Sequence, residues 1–424
     1  MSHSSASSFL KLNGKSMLVP FILVTSLFFF WGIANNMTDT LLSAFKRIMS
    51  MNDVQTSLIQ LSFYGSYFCF ALPAALFIKR FSYKSGVLLG LALYAVGAML
   101  FYPASLTASY THYLIAIYIL AGGCSILETT ANPYILSMGS PETATRRLNL
   151  AQAFNPFGSI TGILLSQYFI LGALNRAGAA ERELMSDAQL AAVQQGELNA
   201  VTGTYMGVGV VLVIILLLMV FTKMPKNSDG DKSLHLGATF KRLFKNKLYT
   251  WGVVAQFFYV GAQIGVWSFT IRIVMETMGW TEKSAASIYL TSIICFSISR
   301  FIFTWLMRYV KASRLLLLAS LGAMVCTVGV VFGGGLALVV FLIGISVFMS
   351  LMFPTIYGFA LDGLGDDAKI GASGLIMAIL GGALLTPLQA SVSDKFGINL
   401  AFIVPFVCFV VVFAYARMAK RAGQ

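Results

Sequence analysis

Two carboxylic acids lie inside long apolar runs of the sequence. Asp39 follows the stretch FFFWGIANNMT and Glu128 follows GGCSIL, whereas the other acids fall in polar segments or at the ends of apolar runs. An ionisable group at membrane depth costs at least ~2.5–3.5 kcal/mol, so it usually faces a cavity and has a function. Desolvation favours the protonated form of a carboxyl group, so such an acid can hold a proton near neutral pH and release it when water arrives. The residues predict a proton relay, and the alternative is a hydrogen bond that only fixes helix packing.

Amide side chains accompany both acids. Asn35 and Asn36 precede Asp39 by about one helical turn, and Asn132 follows Glu128 by one turn in LETTANP. The two asparagines near Asp39 can hydrogen-bond either the acid or a ligand. An ionised Glu128 can also accept hydrogen bonds from hydroxyl groups of a ligand. We therefore predict that Asp39 handles the proton and that Glu128 mainly recognises the ligand, with a share in coupling.

A second pair of amides precedes a proline in LNLAQAFNPFG. Gln152 and Asn155 are three residues apart, so a continuous helix places them on one face. An amide both donates and accepts hydrogen bonds, which suits the hydroxyl groups of a sugar. Both side chains are predicted to bind substrate.

A polar stripe is also predicted in the segment AQFFYVGAQIGVWSF. Gln256, Tyr259, Gln263 and Trp267 recur at spacings of three, four and four, which places them on one helical face. The amides can bind sugar hydroxyls, and the aromatic rings can stack on the apolar face of a sugar. The alternative is that the stripe packs against neighbouring helices, since the segment also contains small residues that allow close approach.

The composition indicates the elements that must position these side chains. The chain is 58% hydrophobic and 11% charged, with a mean hydropathy of +0.80, whereas a soluble domain carries about 25% charged residues. Its apolar runs reach the roughly 18 or more residues that a helix needs to cross a bilayer. The sequence predicts an all-α membrane protein with twelve transmembrane helices. The predicted spans lie near residues 18–42, 56–78, 84–103, 110–136, 148–172, 203–222, 249–274, 284–308, 313–332, 335–360, 368–390 and 398–417.

A polar, basic segment divides these spans into two sets of six. We predict an N-terminal half over residues 1–222, a cytoplasmic linker over 223–248 and a C-terminal half over 249–424. The end of the linker is basic and amphipathic, which is typical of a segment that lies along a membrane surface. Six plus six helices is the architecture of the major facilitator transporters, whose substrate sits near the midplane between the halves.

Basic residues are distributed unevenly around the predicted spans. One side of the membrane, which includes both termini, collects 21 Lys and Arg residues, and the other side collects 6. The positive-inside rule therefore places both termini in the cytoplasm. It also explains the net charge of +13 without a nucleic-acid partner. Arg272 and Arg300 lie within predicted spans. Both arginines can be explained by snorkelling or by an interhelical ion pair. For Arg300, a place in a gate network is an alternative explanation.

Other classes of function find little support in the sequence. The five cysteines all lie in apolar runs without paired spacing, and the three histidines lie outside the predicted spans. We therefore predict no disulfide framework, no metal site and no cofactor, and an enzyme is disfavoured because no nucleophile–base pair or catalytic motif is present. A channel, a sugar sensor and a drug antiporter remain alternatives on the same scaffold.

Several long motifs resemble those of the proton-coupled L-fucose symporters of Gram-negative bacteria. They are FWGIANNMTDTLL, ALPAALFIKRFSYKSGVLLGLALYAVGAMLFYPAS, LETTANPY, RLNLAQAFNPFGS and AQFFYVGAQIGVWSF, and the similarity extends from about residue 17 to the C-terminus. This places the chain in the fucose–galactose–glucose branch of the major facilitator superfamily. The resemblance implies proton coupling at Asp39, sugar recognition and coupling at Glu128, and a cavity lined by Gln152 and Asn155.

The expected activity is symport of a monosaccharide, L-fucose or a related hexose, with a proton across the bacterial inner membrane by alternating access. We expect the protein to act as a monomer in the lipid bilayer. A sodium-coupled glucose or galactose symporter of the same fold remains the alternative. Asn35, Asn36, Thr38 and Asp39 can supply some of the oxygen ligands that Na⁺ needs.

Overall fold

The computed structural model describes residues 9–12, 15–51, 53–175, 177, 179–222 and 236–423. Side chains at 12, 15, 39–40, 42–43, 53–54, 56–57, 179–180 and 282–283 are not described. The predicted proton-coupling residue Asp39 is therefore placed by its backbone only. The part of the predicted linker at 223–235 lies outside the described residues.

The described chain is almost entirely helical, which confirms the predicted fold class. Its α-helices are α1 Leu18–Ile48, α2 Asp53–Arg80, α3 Tyr83–Met99, α4 Phe101–Thr107, α5 Tyr110–Leu136, α6 Ala144–Gln152, α7 Asn155–Leu165, α8 Ala179–Glu183, α9 Asp187–Phe221, α10 Leu236–Lys245, α11 Lys247–Met278, α12 Glu282–Leu306, α13 Ala312–Phe332, α14 Gly335–Met349, α15 Met352–Leu361, α16 Ala368–Met377, α17 Gly381–Phe396 and α18 Ile403–Arg421. Short 3₁₀ or π turns continue several of these helices. Near the N-terminus, β1 (Lys11–Leu12) pairs antiparallel with β2 (Lys15–Ser16).

Twelve segments among the described residues have the length and composition of membrane spans, as predicted. They are Leu18–Thr38, Leu58–Arg80, Tyr83–Thr107, Tyr110–Leu136, Pro141–Ala173, Asp187–Phe221, Lys247–Met278, Ser284–Leu306, Ala312–Phe332, Gly335–Leu361, Gly365–Phe396 and Leu400–Arg421. Four of these spans are built from two or more consecutive helices, so the chain crosses with interruptions at defined positions.

The sixth span begins much earlier than predicted. The sequence predicts a polar stretch over 172–200 and a span from about 203, but α9 already begins at Asp187. Its start is a capping box, in which Ser186 and Gln189 each satisfy the other's backbone N–H. Arg182 and Glu197 form a buried salt bridge at 2.5 Å. Charged residues of the predicted polar stretch therefore stabilise the early part of α9.

Close contacts divide the described chain into two compact units. The first unit is Thr25–Ala131 with Phe157–Lys226, and the second is Met1–Val24, Asn132–Pro156 and Asn227–Gln424. The boundaries between these units within the described residues fall inside α1, α5 and α7. The units therefore group helices by packing and do not follow the order of the chain. The division into halves 1–222 and 249–424 stays a prediction.

Each unit contains a very close helix pair that holds a predicted site segment. In the first unit, Gly158 of α7 meets the carbonyl oxygen of Phe29 in α1, and Gly162 faces the same helix one turn later. In the second unit, Gly381 of α17 meets the carbonyl oxygen of Phe257 in α11. A Cβ atom at either contact would overlap the oxygen, so only glycine allows this approach. The polar segment of α1 and the stripe of α11 are thus each fixed by a small-residue face.

Candidate functional site

Polar side chains of α1 are hydrogen-bonded to the backbone of their own helix. The Thr38 hydroxyl donates to the carbonyl oxygen of Ala34 at 2.8 Å, and the Asn36 amide donates to that of Gly32 at 3.2 Å. Bonds of this kind satisfy polar groups in an apolar surrounding. Asn35 differs, because its buried Oδ1 has no donor among the described side chains.

Glu128 lies on α5 within the first unit. Its side chain is only 8% exposed, and it lies within electrostatic range of the Tyr67 hydroxyl. That hydroxyl accepts a hydrogen bond from the Trp31 indole N–H at 2.6 Å, while Ser125 donates to the Tyr67 carbonyl oxygen at 3.1 Å. Because Ser125 lies one helical turn before Glu128, the part of α5 that carries the carboxyl group packs against α2 at Tyr67, whose ring is bonded to the Trp31 indole. Neither Trp31 nor Tyr67 is a predicted site residue, because the sequence alone does not distinguish them from other aromatic residues of membrane helices.

Two of the predicted substrate amides are bonded to each other in the second unit. Gln152 Nε2 donates to Asn132 Oδ1 at 2.8 Å, and both side chains are buried. This contact joins α6 to the last turns of α5. The structure thus brings together two amides that the sequence places in separate motifs.

The single continuous helix assumed for Gln152 and Asn155 is interrupted between them. The helix α6 ends at Gln152, and α7 begins at Asn155, so the placement of both side chains on one face stays a prediction. Pro156 explains the break, because proline lacks an N–H and fits only the first turn of a helix. Asn155 is half-buried at the start of α7.

Arg300 supplies the hydrogen bond that Pro156 cannot make. In a continuous helix the N–H of residue 156 would donate to the carbonyl oxygen of Gln152. In this structure Nη1 of Arg300 donates to that oxygen at 2.9 Å. The guanidinium group, on α12, therefore fixes the end of α6.

The same guanidinium group serves a second proline break. The chain is interrupted between Met349 and Met352, and Pro354 leaves the carbonyl oxygen of Ser350 without its helical donor. Nε of Arg300 donates to this oxygen at 2.5 Å. Arg300 is only 4% exposed, so one forked cation satisfies two buried acceptors.

Further contacts join α6 and its following turn to α12 and α15. Asn149 Nδ2 donates to the Thr355 hydroxyl at 3.2 Å, and the rings of Phe154 and Phe301 meet edge to face at 5.9 Å. We call these contacts, together with the bonds of Arg300, the Arg300 junction. The sequence suggested a gate network for Arg300 as one interpretation but did not give its partners. Pro156 and Pro354 were the available signal, because each proline leaves a carbonyl oxygen without its helical donor.

The Arg300 junction reaches the predicted stripe through one aromatic ring. The Arg300 guanidinium lies 4.5 Å from the ring centre of Phe296, which meets the Trp267 ring edge to face at 5.1 Å. The Trp267 indole N–H donates to the Ser346 hydroxyl at 3.2 Å. Trp267 is half-buried, so part of its ring remains open to a ligand.

The remaining stripe residues differ in exposure. Tyr259 is fully buried, and its hydroxyl donates to the Met349 carbonyl oxygen at 3.0 Å. Gln256 is also fully buried, and neither amide atom has a partner within the described part of the chain. Gln263 is half-buried. In this conformation Gln263 and Trp267 are the stripe members with exposed surface, while Tyr259 packs at the second proline break.

A buried arginine that the sequence analysis counted only as a loop cation caps α5. Arg147 is fully buried, and it donates to the carbonyl oxygens of Ile135 at 2.8 Å and of Leu136, with a further bond to the Thr143 hydroxyl at 2.9 Å. A cation at a helix C-terminus satisfies the last carbonyl oxygens and the helix dipole. Arg272, in contrast, is half-exposed and pairs with Glu276 at 3.5 Å.

No cluster of metal-binding side chains is found in the described part of the chain. No three His, Cys, Asp or Glu side chains there are close enough to hold an ion, and all five cysteines are free. The oxygen ligands considered for Na⁺ include Asp39, whose side chain is not described.

This chain belongs to the Major Facilitator Superfamily, whose family model matches residues 21–383. Among curated proteins, it is 42% identical over 423 residues to the L-fucose-proton symporter of Haemophilus influenzae, covering 97% of this chain and 99% of that one. It is 38% identical over 417 residues to the L-fucose-proton symporter of Escherichia coli, with 97% and 95% covered. The predicted family is thus confirmed.

A solved structure supports the same assignment. The crystal structure of a Major Facilitator Superfamily transporter, FucP, in the outward conformation matches with a TM-score of 0.88 and 38% identity, covering 95% of this chain and 99% of that chain. The relatives are named as symporters and transporters, which confirms the prediction that this protein is a multi-pass membrane transporter and not an enzyme.

Proposed function

We propose that this protein imports L-fucose or a closely related hexose together with a proton. The observation that carries the proposal is the buried Glu128 carboxyl on the part of α5 that packs against Tyr67, which is bonded to Trp31, in a chain similar over nearly its whole length to L-fucose-proton symporters. A carboxylate recognises sugar hydroxyls, and an aromatic face recognises the apolar side of a sugar ring. Trp31 and Tyr67 thereby join the predicted substrate residues.

In this proposal the two acids have different roles. Asp39 exchanges the coupled proton, and Glu128 binds the sugar and shares in coupling. The sugar also contacts Asn35, whose buried oxygen lacks a described donor, together with Asn36, Asn132, Gln152, Asn155, Gln256, Tyr259, Gln263 and Trp267. The protein lies in the inner membrane of a bacterium, with both termini in the cytoplasm, and acts as a monomer.

The Arg300 junction fits the role of a gate contact. It joins α6 to α12 and α15 with a few directed bonds, and such a contact can open and re-form as a unit. Alternating access requires contacts that hold one conformation and break in the other. We therefore propose that the bond from Arg300 to the Gln152 carbonyl breaks once in each transport cycle.

Radiolabelled L-fucose uptake into proteoliposomes tests the proposed function. We expect an inside-alkaline pH difference to drive accumulation equally with and without sodium, and unlabelled L-fucose to compete better than galactose or glucose. A protonophore should abolish accumulation and leave exchange of internal for external sugar intact. Uptake that follows a sodium gradient and ignores the pH difference would establish the sodium-coupled alternative instead.

Glu128→Gln is expected to weaken sugar binding. The substitution keeps the shape of the side chain but replaces a charged acceptor with an amide, and hydrogen bonds to charged groups contribute about 1.5–3 kcal/mol. The dissociation constant for L-fucose, measured by calorimetry in detergent, should rise about tenfold or more. Glu276→Gln, at a half-exposed position, is the matched control and should bind like wild type. Unchanged affinity in Glu128→Gln would remove Glu128 from sugar recognition.

A further inference from the structure

Three cations converge on one cavity between α13 and α18. The cavity has a volume of about 420 Å³ and is lined by Leu317, Phe413, Arg417, Lys420 and Arg421. This volume lies in the range of roughly 300–1,000 Å³ that is usual for small-molecule sites. None of these five described residues carries a negative charge, so the cavity is strongly cationic.

Helical spacing accounts for the arrangement of the lining. Phe413 and Arg417 are one turn apart on α18, and Lys420 and Arg421 follow in its last turn. Leu317 comes from the neighbouring helix, α13, in its second turn. The lining is therefore apolar at Leu317 and Phe413 and cationic at the C-terminal end of α18.

Topology and helix stability do not by themselves require such a cavity. Cations at the cytoplasmic end orient a span, and cations at a helix C-terminus interact well with its dipole. Both effects would be satisfied by cations that share no common volume. Here Arg417, Lys420 and Arg421 are exposed, but all three line one volume together with the half-buried Leu317 and Phe413, which suits a ligand with an anionic head and an apolar tail.

We propose that this cavity binds the headgroup of an acidic phospholipid. Arg417, Lys420 and Arg421 hold the phosphate, because guanidinium groups bind phosphate oxygens in a forked geometry. Leu317 and Phe413 contact the glycerol and the first carbons of the acyl chains. Cationic pockets between transmembrane helices on the cytoplasmic side are typical sites for anionic lipid headgroups. The assignment to the cytoplasmic leaflet rests on the proposed orientation, whereas the lipid site itself is independent of the transported sugar.

Binding of dioleoylphosphatidylglycerol to the purified full-length protein tests the site. Native mass spectrometry in detergent should show one tightly bound phosphatidylglycerol, at least about tenfold tighter than dioleoylphosphatidylcholine with the same chains. Inorganic phosphate at millimolar concentration should not displace the lipid. Equal binding of the two lipids, or displacement by phosphate, would overturn the proposal, the second result in favour of a soluble-anion site.

Variants separate a defined site from diffuse surface charge. Each cation near an anionic lipid contributes about a fivefold gain in affinity, so Arg417→Gln, Lys420→Gln and Arg421→Gln combined should weaken phosphatidylglycerol binding about a hundredfold. The matched control changes three other exposed cations to Gln, namely Lys241, Lys245 and Lys247, and should retain the tight lipid. Equal loss in both triple variants, or retention in the first, would contradict a defined site.

A filled cavity gives a second test that keeps all three cations. Leu317→Trp should weaken phosphatidylglycerol binding at unchanged charge, because the larger side chain occupies the cavity. Arg417→Lys with Arg421→Lys keeps the charge and the volume and should bind within a few-fold of wild type. Wild-type affinity in Leu317→Trp would show that the lipid binds outside this cavity and would overturn the proposal.

Discussion

Asp39→Asn should abolish proton-driven accumulation of L-fucose while sugar exchange continues. Asparagine resembles the protonated acid in shape and polarity but cannot release a proton, so the carrier can cycle with sugar and without coupling. One pH unit corresponds to about 1.4 kcal/mol per proton. With one proton per sugar, a pH difference of two units should sustain roughly a hundredfold accumulation in wild type and about none in the variant. Radiolabelled uptake and counterflow in the same proteoliposomes measure the two activities.

The matched control for Asp39→Asn is Asp394→Asn. Asp394 is an exposed acid near the end of α17, so the change removes the same charge without touching the polar segment of α1. We expect wild-type accumulation and wild-type counterflow. If Asp39→Asn lost both activities to the same extent, Asp39 would be a structural or sugar-binding residue and the coupling role would be wrong.

The fold could be predicted from the sequence because the bilayer imposes a simple rule on composition. Each span must be a long apolar helix. Charged residues separate the apolar runs of this chain, and all twelve spans were therefore placed. The start of α9 was missed because Asp187 and Glu197 lie in a polar stretch. Composition alone cannot tell a loop from a helix whose charges pair with each other.

The candidate site was predictable only where one helix carries the whole pattern. The acid Glu128 and the half-buried Trp267 follow from depth and spacing along a single segment. The bond between Gln152 and Asn132, and the approach of Trp31 to Tyr67, join separate helices. Spacing along the chain contains no information about such pairs, since tertiary packing decides them.

Arg300→Met should destabilise the protein strongly. The variant leaves the carbonyl oxygens of Gln152 and Ser350 buried without their donor, and each such loss costs about 1–3 kcal/mol. We expect a clear fall in the melting temperature in detergent. The melting temperature of Arg300→Lys should lie between those of Arg300→Met and wild type, because an ammonium group lacks the forked geometry that reaches both oxygens.

Restoring the missing backbone donor tests this explanation directly. Pro156→Ala returns an N–H that can bond to the Gln152 carbonyl, so Arg300→Met should cost about 0.5–3 kcal/mol less in that background. Pro387→Ala makes the same chemical change inside α17, away from the Arg300 bonds, and its effect should simply add. If Arg300→Met destabilised the protein equally in wild type and in Pro156→Ala, Arg300 would act through its charge or through its contact with Phe296.

The same pair of variants distinguishes a structural role from a gate. Pro156→Ala satisfies the Gln152 oxygen from within its own helix, but it does not replace the bond between α6 and α12. If the Arg300 junction only stabilises the fold, transport should recover together with the melting temperature. If it is a gate contact, Arg300→Met with Pro156→Ala should regain the part of the stability that depends on the Gln152 oxygen and still transport roughly tenfold more slowly than wild type, because one lost bond of about 1.4 kcal/mol changes a rate by that factor. We expect the second outcome, since a contact that must break and re-form in every cycle cannot be replaced by a bond that stays within one helix.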